Sequence, residues 1–211
     1  MRPSCDKIRL MIVDEHPIVR VGLSLMLANE QDIEVVAQAH GGKEAVDLFN
    51  RHKPDVILMD FKLVKSTDVD IMDQIRTDHP HSRIILFTMY AGDEDIYRGL
   101  QAGAAAYLLK DSPPEVIVDA IRKVHTGERY ITQTVGEKLA HRIQYDVLTS
   151  RELDVLNEIA KGKSNNEIGD TLCIAEGTVK FHINRILLKL NVSDRTQAVI
   201  LAIKRGLVRF L

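Results

Sequence analysis

From residue 7 to about 125 the chain alternates short apolar runs with longer amphipathic stretches. The runs IRLMIV (8–13), IEVVAQ (33–38), VILM (56–59), RIILFT (83–88) and AAYLL (105–109) read as strands. They are apolar almost throughout rather than at alternate positions, the pattern of strands buried on both faces of a parallel sheet covered by helices. Between them, segments 17–28, 42–52, 69–78, 93–102 and 114–125 carry helical spacing. Gly103 stands at a helix C′ position, and Pro54 and Pro80 close two other helices. Five strands and five helices in strict alternation predict a doubly wound α/β domain with a five-stranded parallel sheet and right-handed crossovers.

Beyond residue 125 the pattern changes. Residues 126–147 begin with Gly127 and Tyr130, include one short helical candidate, VGEKLAHRI (135–143), and read as a linker. From 148 on no strand is predicted. LTSRELDVLNEIAKG, SNNEIGDTL, AEGTVKFHINRILLKL and RTQAVILAIKRG read as four helices separated by short polar turns. The expected division is therefore an α/β domain over 1–125, a linker over 126–147 and an all-α domain over 148–211.

Composition is that of a globular protein, with 45% apolar and 27% charged residues. No apolar run approaches the ~20 residues of a membrane helix, and the N-terminus carries no export signal. Both points lead to the expectation of a cytoplasmic protein without a membrane partner. Cys5 and Cys173 fit a reducing compartment; they are not expected to pair, and no CxxC pattern suggests a metal site. The net charge of −2 does not by itself point to nucleic acid, but it divides into −5 over residues 1–147 and +3 over 148–211.

In a doubly wound sheet, ligands bind beyond the carboxyl ends of the strands, at the switch point of strand order. Asp14 and Glu15 follow the first strand, Asp60 the third, Thr88 ends the fourth and Lys110 the fifth. Carboxylates gathered on one rim repel unless a cation offsets them, and Mg²⁺ suits hard oxygen ligands. A carboxylate can also attack phosphorus and form an acyl phosphate. The transferring group then needs positive charge on its equatorial oxygens, which Mg²⁺ and the Lys110 ammonium would supply, with the Thr88 hydroxyl as a donor. Any one of these acids alone is equally well an N-cap or turn former; the four strand ends together are not explained that way.

VDEHP, LMD at 58–60, FTM at 87–89 and AGAAAYLLKD at 102–111 resemble the receiver domain of the NarL/FixJ family of response regulators, over residues 7–125. The resemblance implies a flavodoxin-like fold with Asp60 as phosphoacceptor. It also implies a metal shell of Asp14, Glu15, Asp60 and the Lys62 backbone carbonyl, Thr88 as switch hydroxyl, Tyr107 as switch aromatic, and Lys110 as the phosphoryl-binding lysine. Where such domains carry proline and glycine, four and eight residues past the phosphoacceptor, this chain has Val64 and Asp68. Asp68 would cap the next helix or add negative charge near the site. Lys62 could pair with a carboxylate or screen the phosphoryl from water.

In the C-terminal part, SNNEIGDTL, CIAEG and TVKFHINRILLKL have the layout of helix, tight turn, helix. Ile168 and Leu172, then Val179, Ile183, Ile186 (or Leu187) and Leu190, keep helical spacing and mark the buried faces. The opposite face of the second helix carries Lys180, His182, Asn184, Arg185 and Lys189. Such a face either enters the major groove, with Lys and Asn reading base edges, or is the solvated side of a bundle helix. The stretch from LTSRELDVL to NVSDRTQAV is similar to the LuxR-type DNA-binding domain over residues 148–208. That similarity implies a four-helix domain whose third helix, about 176–190, reads double-stranded promoter DNA. Lys180 and Asn184 then face bases, and Phe181 either meets a thymine methyl or packs. Ala175 stands where a capping Ser is usual, and Gly169 where Ala is usual. Of the last helix, Val199, Ile200, Ile203 and Leu207 are apolar; some of them must pack on the domain and the rest are free for the homodimer contact that the similarity implies on paired half-sites, with Val199 and Ile203 as the candidates.

The resulting expectation is a regulator, not an enzyme, whose phosphorylation by a sensor histidine kinase controls dimerisation and DNA binding. The polar linker suggests that the unphosphorylated receiver masks the recognition or dimer helix. Two alternatives stand beside it. One is an enzyme of the haloacid-dehalogenase type, which would want an aspartate where Lys62 stands. The other is a phosphorylation-independent DNA binder with an atypical receiver, motivated by Val64 and Asp68.

Overall fold

The computed structural model describes residues 7–65, 71–79, 82–89, 92–143 and 146–208. In chain order the elements are β1 (Ile8–Val13), α1 (Pro17–Leu27), β2 (Ile33–Ala39), α2 (Gly42–His52), β3 (Val56–Asp60), α3 (Phe61–Lys65), α4 (Ile71–Asp78), β4 (Arg83–Thr88), α5 (Asp93–Gln101), β5 (Ala106–Leu109) and α6 (Pro114–His125). They continue with β6 (Tyr130–Ile131), α7 (Gln133–Ile143), α8 (Ser150–Ala160), α9 (Asn165–Leu172), α10 (Glu176–Leu190) and α11 (Arg195–Arg205). The chain divides into two compact units, one of residues 1–89 with 98–135 and one of residues 90–97 with 136–211.

In the first unit the strands form one parallel sheet in the order β2-β1-β3-β4-β5-β6. The five expected strands are all present. The chain leaves β1 toward β2 and returns to the other side at β3, so the switch point lies at the carboxyl ends of β1 and β3. Both faces are covered, as the apolar runs required. Ile8, Leu10, Ile12, Val56, Leu58, Ile85 and Phe87 share a core with Leu23 and Leu27 of α1 and Ile117, Ile121 and Val124 of α6. The alternate residues Met11, Val13, Ile57, Met59, Leu86 and Tyr107 are buried as well. Each such aliphatic side chain removed from water stabilises the fold by about 1.5–3 kcal/mol.

Local chemistry sets the ends. Pro17 opens α1 at its first turn, where a missing N–H is no loss. α2 ends on Lys53 in the left-handed region (φ 44°), directly before Pro54. Gly103 (φ 93°) terminates the turn after α5, its amide bonded to Leu100 O at 3.0 Å. Two elements were not expected. β6 adds two residues to the sheet edge through Tyr130 N to Ala105 O at 3.0 Å, a segment too short for periodicity to reveal. α3 replaces a loop immediately after Asp60. Pro80 and Asp68 lie outside the described residues, as does Cys5; Cys173 is a free, exposed thiol.

The helical unit carries two capping boxes. Thr149 and Glu152 cap α8 reciprocally, and Ser164 and Glu167 do the same for α9. Asp194 accepts from Gln197 N at 2.8 Å and caps α11, which ends on Gly206 at φ 73°. Ala175 offers α10 no side-chain cap, an omission worth roughly 0.5–2 kcal/mol relative to a hydroxyl. Leu148, Val155, Leu156, Ile159, Ile168, Val179, Ile186, Leu190, Ala198 and Ala202 form its core. Gly169 has a reason that propensity alone hides. The α9–α10 turn folds back so that Ile174 N donates to Gly169 O at 2.9 Å, and a Cβ at Gly169 would stand 2.7 Å from Ile174 O.

Candidate functional site

β1 and β3 lie side by side with Val13 beside Met59, so the residues that end them meet. Asp14 and Asp60 are almost fully buried, and the Lys110 ammonium, itself 7% exposed, joins them: 2.6 Å to Asp14 Oδ2 and 2.7 Å to Asp60 Oδ2. Lys110 is delivered there by its amide, which donates to Thr88 O at 2.8 Å and holds the end of β5 against β4. Burial works against the Lys110 charge, but the contacts with Asp14 and Asp60 outweigh it and hold its pKa above the ordinary lysine value. α3 begins at once after Asp60, so the Lys62 amide turns back and donates to Asp60 Oδ1 at 2.9 Å.

Glu15 sits apart from this pair. It is half-buried and accepts from the Lys62 ammonium at 2.5 Å, which holds its carboxyl below the usual range. Lys62 therefore takes the carboxylate-pairing option foreseen for it, and the partner is Glu15. Sequence reasoning missed His16. Its amide and Nδ1 lie 2.8 and 3.0 Å from Asp14 Oδ1, and its Nε2 is 3.8 Å from Glu15. Arg20 was also missed; its guanidinium donates to Asp14 O at 2.6 Å and ties α1 to the rim. The VDEHP string placed His16 beside the acids, and that adjacency was the available signal.

The residues suit a hard divalent cation. Ligand atoms of Asp14, His16 and Asp60 lie within 4.8 Å of one another. Asp14 Oδ2 is a buried carboxylate oxygen that has the Lys110 ammonium against it at 2.6 Å but no regular hydrogen bond. A buried anionic oxygen in that state favours an added cation.

Thr88 and Tyr107 are fully buried. The Tyr107 ring lies edge-on to Phe61, with centroids 5.8 Å apart. Gly99 of α5 also borders it, where a Cβ would fall 3.3 Å from the ring and 2.5 Å from Leu86 Cδ1. Tyr107 thus occupies the inward position in a close-packed slot. Of the departures after Asp60, the structure describes neither Asp68 nor the side chain of Val64.

On α10 the predicted polar face divides. Lys180, Phe181, Asn184 and Arg185 are exposed, and His182 is half-buried against the Phe181 ring. At 57% exposure Phe181 is not a core residue. Lys180 pairs with Glu176 one turn back at 2.7 Å, and the Arg185 guanidinium lies 5.8 Å from the Phe181 ring. Lys189 departs from its expected place. Its ammonium turns inward to Glu152 Oε2 at 2.7 Å and Val147 O at 3.0 Å, because the buried Glu152 carboxylate needs a cation more than the helix surface does. In α11, Val199 packs partly on the core, whereas Ile200 and Ile203 remain exposed.

Residues 10–122 match the response regulator receiver domain, and residues 146–202 match the luxR family of bacterial regulatory proteins. The chain is 40% identical over 207 residues to response regulator protein VraR of Staphylococcus aureus, an alignment spanning 96% of this chain and 99% of that protein. Among solved structures it is similar to response regulator ChrA of a heme-sensing two-component system, at 32% identity, 95% and 98% coverage and a TM-score of 0.57. It also shares the fold of response regulator RcsB in complex with DNA, at 19% identity, 94% and 99% coverage and a TM-score of 0.69.

Proposed function

The chain belongs to the response regulators that join a receiver domain to a luxR-type DNA-binding domain, and from that premise we propose that Asp60 accepts a phosphoryl group from a partner histidine kinase and so controls dimerisation and binding to promoter DNA. The observation that carries the reading is the buried triad at the strand ends, in which one Lys110 ammonium spans the Asp14 and Asp60 carboxylates. An Asp60 oxygen attacks phosphorus, a P–O bond forms, and the P–N bond to the donor imidazole breaks with its electron pair leaving on nitrogen. Lys110 is placed to shift from Asp60 to the phosphoryl oxygens. Thr88, at the end of the neighbouring strand, supplies a hydroxyl, and Tyr107, buried beside Phe61, serves as the switch aromatic. Asp14 and Asp60, with the Lys62 backbone carbonyl and Glu15, would hold Mg²⁺, which when bound offsets negative charge on the transferring group. DNA binding falls to Lys180, Phe181, His182, Asn184 and Arg185 of α10, with Asn184 and Lys180 reading base edges. Ile203, together with its exposed neighbour Ile200, is the better placed part of the expected dimer contact.

No described helix is long and apolar enough to cross a membrane, and the reading places the protein in the cytoplasm, where kinase and promoter meet. The chain receives a phosphoryl group rather than turning over phosphate esters, since the position an aspartyl phosphatase needs for a second acid holds Lys62. The test is to incubate wild type and Asp60→Asn with acetyl phosphate and Mg²⁺, following intact mass, oligomeric state and operator affinity together. Wild type should gain one acid-labile phosphoryl and bind operator more tightly, and Asp60→Asn should do neither. Equal DNA affinity with and without phosphorylation would leave a phosphorylation-independent regulator.

A further inference from the structure

Lys62 gives the rim a feature that phosphoryl acceptance at Asp60 does not require. Its amide serves Asp60 Oδ1, but its side chain runs to Glu15, 47 positions earlier, and donates to Oε1 at 2.5 Å. Glu15 is one of the three carboxylates expected to share a divalent cation, and a residue of the chain itself has already paired its charge. His16 Nε2, 3.8 Å from the same oxygen, adds a second neighbour on that side. Asp14 and Asp60 are likewise bridged by Lys110, so each of the three carboxylates has an ammonium against it.

The two lysines differ in what holds them. The Lys110 side chain is 7% exposed and clamped between two buried acids, whereas that of Lys62 is 53% exposed and meets Glu15 at the surface. An exposed ion pair of this sort is weak and readily exchanged. We infer that Lys62 is a built-in competitor for the divalent cation: Glu15 can join the metal shell only by releasing the Lys62 ammonium, and this exchange sets the metal affinity of the rim. The inference rests on the reading of the rim as a Mg²⁺-assisted phosphoacceptor site. It differs from that reading in assigning Lys62 a positioning role exercised through Glu15.

A cationic side chain near a metal also lowers affinity by plain repulsion, so a single substitution does not separate the two accounts, whereas a double-mutant cycle does. The experiment is Mg²⁺ titration by calorimetry on the full chain, for wild type, Lys62→Met, Glu15→Gln and the double variant. Methionine keeps the aliphatic stem and the backbone carbonyl while removing the charge. Lys62→Met should bind Mg²⁺ roughly two- to fivefold more tightly, the scale of an exposed ion pair. In the Glu15→Gln background the same replacement should leave the affinity unchanged. Lys62→Arg, which retains the pair, should stay close to wild type.

Equal affinity in wild type and Lys62→Met would overturn the inference. So would the same gain in both backgrounds, which would make Lys62 a general repulsive charge. If either result came with wild type still acquiring an acid-labile phosphoryl on Asp60, only the role of Lys62 would fall. If no variant bound Mg²⁺ and none took up phosphoryl, the phosphoacceptor reading would fall with it.

Discussion

Replacing Lys189 with methionine separates two physical accounts of the recognition helix. If Lys189 neutralises a DNA phosphate, as its place on a basic helix suggested, Lys189→Met weakens binding to every sequence alike and lowers the salt slope by about one, without touching stability. The structure leads elsewhere. The Lys189 side chain is 17% exposed and its ammonium is 2.7 Å from Glu152 Oε2, a carboxylate with only 4% of its side chain accessible. Its removal leaves Glu152 with the Thr149 amide at 2.7 Å and the Arg185 guanidinium at 3.9 Å. Stripping one partner from a buried pair costs roughly 3–5 kcal/mol. The retained Thr149 bond brings this toward the loss of a single charge-assisted hydrogen bond, about 2–3 kcal/mol. Hydrogen exchange of α8 and α10 amides in the full chain should then be accelerated roughly thirty- to hundredfold. The salt slope of operator binding, measured by anisotropy on folded protein, should stay unchanged.

The same substitution has a pH signature. Burial by itself pushes the Glu152 carboxyl up, but hydrogen bonds from Lys189 and Thr149 outweigh it and hold its pKa below the ordinary value of 4.5. A carboxylate lowered on folding stabilises the fold above its unfolded pKa, and that contribution is lost as pH falls through the folded value. The stability gap between wild type and Lys189→Met should therefore be full at neutral pH and narrow below about pH 4.5. Unchanged α8 and α10 protection together with a smaller salt slope would refute the inward placement of Lys189.

Two further substitutions test the helix-turn-helix. Gly169→Ala gains helix propensity of about 1 kcal/mol but sets a methyl 2.7 Å from Ile174 O. Overpacking against backbone costs about 1–3 kcal/mol, so thermal melts should show a net loss; a more stable variant would mean the turn has room to spare. Asn184→Ala removes an exposed side chain, so stability should hold while binding to the preferred site weakens by about 1–3 kcal/mol. Competition with a site altered at its adenine should show that preference relaxed, and an undiminished preference would take Asn184 out of base readout.

The architecture was largely legible because the five apolar runs admit little else: strands buried on both faces need helices above and below, and strict alternation fixes the parallel order. The rim followed from that order, since Asp14, Asp60, Thr88 and Lys110 each end a strand and strand ends converge at the switch point. What stayed hidden depends on side chains from separate elements competing for one another. Nothing in the local pattern of FKLVK indicates that the Lys62 ammonium selects Glu15. A basic helix face likewise does not reveal that a buried Glu152, across the domain core on α8, draws Lys189 inward. β6 is two residues long and therefore without periodicity, and the reason for Gly169 lies in a turn that closes on it from five residues further along.

If the rim accepts a phosphoryl group as proposed, the charges there call for more than the chain provides. Asp14, Glu15 and Asp60 carry three negative charges against the two positive charges of Lys62 and Lys110. A phosphoryl on Asp60 exchanges one negative charge for roughly 1.5 to 2, and the new oxygens compete for Lys110. If Lys110 follows them, Asp14 Oδ2, already without a hydrogen bond, loses its nearest positive charge while remaining buried. An unpaired buried carboxylate is destabilised by several kcal/mol, so the lysine alone cannot serve both anions. A second cation, for which Asp14 and Asp60 are available ligands, would remove the conflict by offsetting the Asp14 charge and leaving Lys110 for the phosphoryl. On the proposed reading, the burial of Asp14 would make phosphoryl acceptance depend on a divalent ion already in place, and Lys62, by holding Glu15, would tune how readily that ion arrives.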